Sequence, residues 1–253
     1  MFPEERRVWL TTQARSVGRV DVNESAEELG VTVETIRRDL NVLESKNLLR
    51  RVHGGAIPNE GLGFELTLPS RNLQFKDDKK RIALAAVELV KDADSVFLDE
   101  GSSVQTFCEI WNPEKPVTVA TSAITNALAL ANNPNVSIIF LGGKLRTHTL
   151  ATADIWGTRM LTDLVIDVAL IGTNGISIAN GATCPAQLVA AVKTAGISAS
   201  HSSYLLAHSS KFGFDSFFKF AHFNDFKGII TDIGLDDVAY KEFIQSGIVV
   251  QRV

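Results

Sequence analysis

Residues Asn23 to Ala56 read NESAEELGVTVETIRRDLNVLESKNLLRRVHGGA, and the N-terminal fold follows from this stretch. It carries two short helical patterns joined by a three-residue turn. Asn23 belongs to the residue types that cap helices, and Glu24 suits the positive end of a helix dipole, so the first helix is expected to start at Asn23. Gly30 tolerates the left-handed exit conformation and ends that helix. Thr32 caps the second, whose apolar positions Val33, Ile36, Leu40 and Leu43 recur at spacings of three and four and therefore face inward. The opposite face presents Glu34, Thr35, Arg37, Arg38 and Asn41, the hydrogen-bonding and cationic types that reach base edges and phosphates. In a helix-turn-helix the N-terminal part of this second helix enters the major groove. Arg50, Arg51 and His53, followed by Gly54 and Gly55, read as a winged extension whose glycines let backbone approach phosphate. An upstream helix from Pro3 to about Ser16 would complete a tri-helical core with Val8, Trp9 and Leu10, and Arg6 on it is expected to touch phosphate.

An Arg-Arg pair alone is an ordinary solvated helix face. Here the caps, the turn length and the basic hairpin agree on a DNA reader. Net charge adds nothing to this: residues 1–58 hold nine Lys plus Arg and nine Asp plus Glu, and the remaining residues hold 16 basic and 20 acidic, which gives the whole excess of −4. A neutral module binds through placed arginines and not through a diffuse positive field, and it needs dimerisation for tight operators.

The segment VTVETIRRDLNVLESKNLLRRVHGGA resembles the DNA-binding signature of the DeoR family of bacterial sugar-metabolism regulators, and the resemblance continues to the C-terminus. It implies an α/β chain in which a winged helix-turn-helix precedes a Rossmann-like, mostly parallel sensor domain similar to ribose-5-phosphate isomerases and glucosamine-6-phosphate deaminases. The expected division is 1–57 for the DNA-binding domain, 58–75 for a linker with Gly61, Gly63 and Pro69 as breakers, and 76–253 for the sensor.

At 253 residues the chain suits one small module and one domain with a sizeable core. It has no apolar run long enough for a membrane span and no signal-like start, so a cytoplasmic protein is expected. Cys108 and Cys184 lie far apart and outside any Cys-x-x-Cys spacing, which suggests two reduced thiols. His148, His201, His208 and His222 lack zinc-site spacing, so no metal is expected. Seven phenylalanines between Phe212 and Phe226 are expected in a core strand or a subunit interface.

Residues Lys76 to Lys91 read as a helix with a charged start. Beyond it, short apolar runs alternate with helical patterns, the signature of a mostly parallel sheet covered by helices. The strand candidates are SVFLD, VTVAT, VSIIFL, IDVALIG, SYLLA, KGIITD and IVVQR; the helices are 102–111, 123–132, 185–198 and 236–246. Ligands in such sheets bind beyond the carboxyl ends of the strands. After the first strand come Glu100, Gly101, Ser102 and Ser103, opening a helix whose free amides and dipole suit a phosphate. After the second come Thr121 and Ser122, after the third Gly142, Gly143, Lys144 and Arg146, and after the fourth Thr173, Asn174 and Gly175. Four strand ends are thus expected to converge on a phosphorylated polyol. No Gly-x-Gly-x-x-Gly opens a helix after the first strand and no Walker pattern is present, so no nucleotide cofactor is expected.

The resemblance adds residues to this set. Asp99, Gly101, Ser102 and Ser103 match the family's Asp-x-Gly-Ser/Thr-Thr loop, Thr121 and Ser122 its Thr-Asn, and Gly142 to Arg146 its Gly-Gly-basic loop. Lys193 and Lys211 match lysines on the late helix and after the following strand. Two positions depart: His208 stands where the family commonly has aspartate, and Val189 where it commonly has glutamate. Both changes remove carboxylates that bind sugar hydroxyls or move protons, which implies an atypical effector or none. The reading is a regulator, a repressor working as dimer or tetramer on operator DNA. The alternatives are sugar-phosphate catalysis through Asp99, Glu100 or His208, and control by a protein partner.

Overall fold

The computed structural model describes residues 2–17, 19–46, 48–58 and 65–253, and contacts divide it into Met1–Phe64 and Glu65–Val253. In the first unit, helix α1 (Pro3–Val17) leads to β1 (Val20–Asp21), α2 (Val22–Glu28), α3 (Val33–Ser45), β2 (Leu49–Val52) and β3 (Gly55–Pro58). Asp21 is the residue that caps α2: its Oδ1 accepts from the amides of Asn23 (2.8 Å) and Glu24 (3.2 Å). The expected start at Asn23 is therefore corrected by two residues, because Asp21 competes for the same capping role and has the extended backbone that a cap needs. At the other end Gly30 adopts φ +62°, and the Gly30 and Val31 amides donate to the carbonyls of Glu27 and Ala26, the hydrogen-bond pair of a Schellman stop. Thr32 caps α3 through its hydroxyl, which accepts from Thr35 N at 3.2 Å.

Leu10, Ala14, Ile36, Leu40, Leu43 and Leu49 are buried together, while Val8, Trp9 and Val33 are half-buried at the margin. Each large member contributes roughly 1.5–3 kcal/mol relative to exposure. β1, β3 and β2 form a three-stranded antiparallel sheet in that order, with His53 and Gly54 at the turn between β2 and β3. Gly55 is explained within the unit: a Cβ there would lie 1.9 Å from the Val20 carbonyl oxygen, so only glycine lets β3 pair with β1.

The second unit begins before the expected boundary. Residues 59–64 of the anticipated linker, with Gly61 and Gly63, lie outside the described residues. Residues 65–75, however, pack as part of the sensor: Leu66 and Leu68 are buried, and α4 (Leu68–Leu73) starts at a Thr67 cap. The chain then runs through α5 (Lys76–Val90), β4 (Ser95–Leu98), α6 (Ser102–Ile110), β5 (Val117–Thr121), α7 (Ile124–Leu130) and β6 (Val136–Phe140). It continues with β7 (Leu145–Arg146), β8 (Ala151–Thr152), α8 (Ile155–Thr162), β9 (Ile166–Gly172), β10 (Gly175–Ser177), β11 (Gly181–Cys184) and α9 (Gln187–Ser198). It ends with β12 (Ser200–Leu206), β13 (Phe218–Ala221), β14 (Gly228–Thr231), α10 (Asp237–Gln245) and β15 (Val250–Arg252).

Seven strands form one parallel sheet in the order β15-β14-β12-β9-β4-β5-β6. Alternate residues of β4 and β9 serve opposite faces. Val96, Leu98, Val168 and Leu170 join Ile82, Phe107 and Leu130 of α5, α6 and α7, while Phe97, Ala169 and Ile171 join Leu161, Val192 and Phe243 of α8, α9 and α10. Burial on both faces explains why these strands read as continuous apolar runs. The order turns around between β4 and β9, from which successive strands move outward in opposite directions. That is the topological switch point, where a crevice opens beyond the carboxyl ends.

Among the described residues, no helix is long and apolar enough to cross a membrane. Cys108 and Cys184 are buried free thiols, and burial pushes both pKa values up, that of Cys184 to about 11. Phe212, Phe220 and Phe226 are core residues, and Phe212 meets Phe243 edge-on at 5.0 Å.

Candidate functional site

On α3 of the first unit, Glu34, Arg37, Arg38 and Asn41 are exposed and Thr35 is half-exposed, opposite the buried Ile36, Leu40 and Leu43. Arg37 lies 3.8 Å from Glu34 across one turn, an exposed pair of little energetic weight. Arg50 and His53 are exposed on the hairpin. Arg51 is partly buried: its amide donates to Glu44 Oε1 and its guanidinium to Asn41 Oδ1, which fastens hairpin to helix. Asn41 is thus engaged by the wing and not held free for a base.

Arg6, expected to touch phosphate, is turned inward. It is 7% exposed, and its Nε donates to Asp39 Oδ2 while Arg7 Nε donates to Asp39 Oδ1 at 2.8 Å. Asp39 is a buried acid on the inner face of α3, so Arg6 neutralises it and ties α1 to α3. Asn23 is exposed beside the Asp21 cap.

In the second unit a crevice opens at the switch point. The loop after β4 supplies Glu100, Gly101, Ser102 and Ser103; the loop after β9 supplies Thr173 and Asn174; α9 supplies Lys193, and the segment after β12 supplies His208 and Lys211. Arg71, Gln74 and Phe75, followed by Lys79 on α5, add to the wall. The sequence places those four in the linker and on the helix with a charged start. Their charge was legible, but their position depends on α4 folding back over the strand ends.

The start of α6 is Gly101 at φ +124°, with no side chain capping it. Free amides, the helix dipole and the Ser102 and Ser103 hydroxyls therefore face the crevice as an anion cradle. The cations converge there. Burial, followed by repulsion from Lys211 and Arg71, lowers the Lys79 pKa to about 7, and its Nζ donates to the carbonyls of Arg71 and Gln74. Lys193 is fully enclosed. Burial opposes its charge, but Asp99 and Glu100 outweigh that and raise its pKa, and its Nζ donates to Asp99 Oδ2 and to Gly172 O.

Asp99 lies behind the crevice, also accepting from Gly172 N at 2.9 Å, and its Oδ1 has no hydrogen-bond partner. Burial raises the Glu100 pKa despite Lys193, Arg71 and Arg146. Its Oε1 accepts from Arg146 at 3.1 Å, while its buried Oε2 is unpartnered. Two such oxygens call for hydroxyl donors.

His208 stacks on Phe75 with ring centroids 3.7 Å apart. Ser210 N donates to its Nδ1 at 3.1 Å, which leaves the ring proton on Nε2, facing Asp78 Oδ2 at 3.1 Å and Asp232 Oδ1 at 3.5 Å. Burial, with Lys211, lowers its pKa against the pull of Asp232 and Asp78. One ligand-type atom from each of Asp78, His208 and Asp232 lies within 4.8 Å of the others, a grouping suited to a divalent cation that linear spacing hides. Asp232 already accepts from Ser209 N, Ser209 Oγ and Gly234 N, and Asp78 from Arg81.

Seven of the expected effector residues lie elsewhere. Thr121 is fully buried and donates to Leu98 O; the Ser122 carbonyl accepts from Thr152 N; Gly142, Gly143 and Lys144 follow β6, where the Lys144 carbonyl accepts from Ala153 N. β5 and β6 lie on one side of the switch point, and their ends pack on the β7-β8 hairpin instead of the crevice. Gly175 starts β10, where a Cβ would lie 2.5 Å from Phe214 O. Arg146 stands behind the wall, between Glu100 and Glu65, with Nη2 donating to Glu65 Oε2 at 2.6 Å. Val189 is buried in the core of α9.

A winged helix-turn-helix with an α/β domain whose switch point forms a cationic crevice defines a ligand-responsive DNA-binding regulator. The chain belongs to the DeoR family of transcriptional regulators: residues 9–61 match the DeoR-like helix-turn-helix domain and residues 74–233 the DeoR C terminal sensor domain. The lactose phosphotransferase system repressor of Staphylococcus epidermidis is 32% identical over 94% of this chain and 94% of its own. The uncharacterized HTH-type transcriptional regulator YulB of Bacillus subtilis is 31% identical over 95% of this chain and 93% of its own. The solved ribose 5-phosphate isomerase A of Neisseria gonorrhoeae overlaps 53% of this chain and 52% of its own at 18% identity, with a TM-score of 0.39.

Proposed function

We propose that the protein represses carbohydrate-metabolism genes and is released from its operator by a phosphorylated sugar or sugar alcohol bound at the switch point. Its carrying observation is the uncapped start of α6 facing Arg71, Lys79 and Lys211 within one crevice that also holds the unpartnered Glu100 Oε2. The cations and free amides suit a phosphate dianion, and the orphan carboxyl oxygen suits hydroxyls. The repressor name of the staphylococcal relative supports the direction of control. Arg37 and Arg38, with Glu34 and Thr35, read the major groove, and Arg50 and His53 hold phosphates. Palindromic sites for paired reading heads require a homodimer or homotetramer, acting in the cytoplasm.

The crevice is a receptor and not an active site in this reading. Each acid–base candidate is held at one atom: Asp99 Oδ2 by Lys193 and Gly172 N, Glu100 Oε1 by Arg146, and His208 Nε2 by Asp78, which leaves the free carboxyl oxygens to bind hydroxyls. Thermal shift on residues 65–253 against sugar phosphates, sugar-alcohol phosphates and their unphosphorylated counterparts tests the assignment. A shift for phosphorylated members that is lost in Ser103→Asp supports it; equal shifts for unphosphorylated members, or none, refute it.

A further inference from the structure

We propose that Arg71 couples the crevice to the first segment of the sensor unit: an anion seated on the α6 start takes the Arg71 guanidinium from Glu65 and re-sets residues 65–75. This rests on the reading of the crevice as a sugar-phosphate site and adds to it the residue that senses the phosphate and the segment that carries the signal.

Arg71 belongs to α4, in the segment that directly follows residues 59–64 in sequence. Its Nη1 lies 4.0 Å from where a Cβ on Gly101 would stand, so the guanidinium overhangs the free amides of α6. Among the described residues its Nε and Nη2 are buried without a hydrogen-bond partner, and its ion pair with Glu65 Oε1 is long at 3.6 Å. A charged fork with donors left over is the group that a phosphate satisfies with two parallel bonds.

Glu65 can release Arg71 without being stranded, since Arg146 Nη2 lies 2.6 Å and His148 Nε2 3.2 Å from its Oε2. The exchange therefore converts a poorly matched ion pair into a matched one and leaves no buried carboxylate alone. Two anchors bracket the segment. Leu68 N donates to His148 O at 2.9 Å, and Lys79 Nζ holds the carbonyls of Arg71 and Gln74. Both anchors hold α4 itself, at Leu68 N and at the Arg71 carbonyl, and Asn72 Nδ2 donates to Gln105 Oε1 at 3.1 Å, so a new Arg71 partner acts on this segment through these contacts, and the chain upstream of it leads to the reading head. The ligand shifts this equilibrium by the difference in its affinity for the two settings of the segment.

Amide hydrogen exchange on the full chain, with inorganic phosphate and glycerol 3-phosphate as probes, tests the coupling in wild type, Arg71→Lys and Arg71→Gln. In wild type both anions slow exchange across residues 65–75. Arg71→Gln binds them on the order of tenfold or more weakly, and Arg71→Lys, which keeps the charge but not the fork, binds with intermediate affinity and without the slowing. Wild-type affinity in both variants overturns the role of Arg71 while leaving the crevice reading intact. Binding lost in Arg71→Lys with no wild-type change in exchange at 65–75 overturns the coupling. Binding of neither anion by wild type removes the crevice reading and this inference together.

Discussion

Lys193 on α9 donates from Nζ both to Asp99 Oδ2 after β4 and to Gly172 O at the end of β9. One ammonium thereby joins the two strands on either side of the switch point, and with Lys193 at 3% and Asp99 at 1% side-chain exposure the pair is closed to water.

Removing one partner of this pair strands the other. Lys193→Met is expected to destabilise the protein by about 3–5 kcal/mol in denaturant unfolding, and Asp99→Leu by a similar amount, whereas the double substitution recovers much of the loss. Additive single effects in the cycle would show that the pair contributes no coupling.

Lys79 makes effector binding pH-dependent. Its folded pKa of about 7 is below the ordinary lysine value, so folding disfavours the proton: the burdened, charged form is present in the fold below about pH 7, and stability gains as pH rises from about 7 toward the unfolded value near 10. A phosphate dianion reverses that preference and draws a proton onto Lys79. Above pH 7 binding should take up protons and weaken, by at most about tenfold per pH unit. Calorimetry in buffers of different ionisation enthalpy measures the uptake. Lys79→Met should bind more weakly and lose that uptake; unchanged uptake assigns the proton to another group.

The seven strands of the main sheet were legible because each falls in a short apolar run, buried on both faces in the central β4 and β9, and the reading helix because its caps and its three-four spacing agree. The crevice was half legible. Residues after β4 and β9 follow from the strand-end rule, but strand order is a non-local property, and without it the ends of β5 and β6 looked equally eligible. Arg71 and Gln74 sit in a stretch written with turn residues, and nothing in its composition reveals that α4 folds onto the sensor. Arg6 misled for a different reason: its partner Asp39 occupies an inward position of α3 that the apolar pattern passes over.

Arg38 and Arg6 separate binding from folding in the first unit. Arg38→Ala removes an exposed cation and should weaken operator binding by about 1–3 kcal/mol at fixed salt, with an unchanged melting temperature. Arg6→Ala leaves the buried Asp39 with only Arg7 and should lower the melting temperature of the unit. Gel-shift titration beside thermal unfolding reads both. Arg6→Ala protein with wild-type stability and weakened DNA binding would return Arg6 to the phosphate contact that its sequence position suggested.

Gly55 and Gly30 differ in why they are glycine, and alanine at each should expose that difference. At Gly30 no atom lies within 4 Å of the new Cβ, so Gly30→Ala carries only the left-handed backbone penalty of about 1–2 kcal/mol. At Gly55 the Cβ would stand 1.9 Å from Val20 O and 3.4 Å from Asp21 Cα, both backbone atoms of β1. The β1-β3 pairing must open to admit it, and with it the position of the Asp21 cap on α2. Gly55→Ala should therefore be the more damaging, lowering both the stability of the first unit and its operator affinity, while Gly30→Ala lowers stability alone. Equal destabilisation by the two, followed by thermal unfolding of the isolated N-terminal unit, would mean that β1 yields to Gly55→Ala without moving the cap.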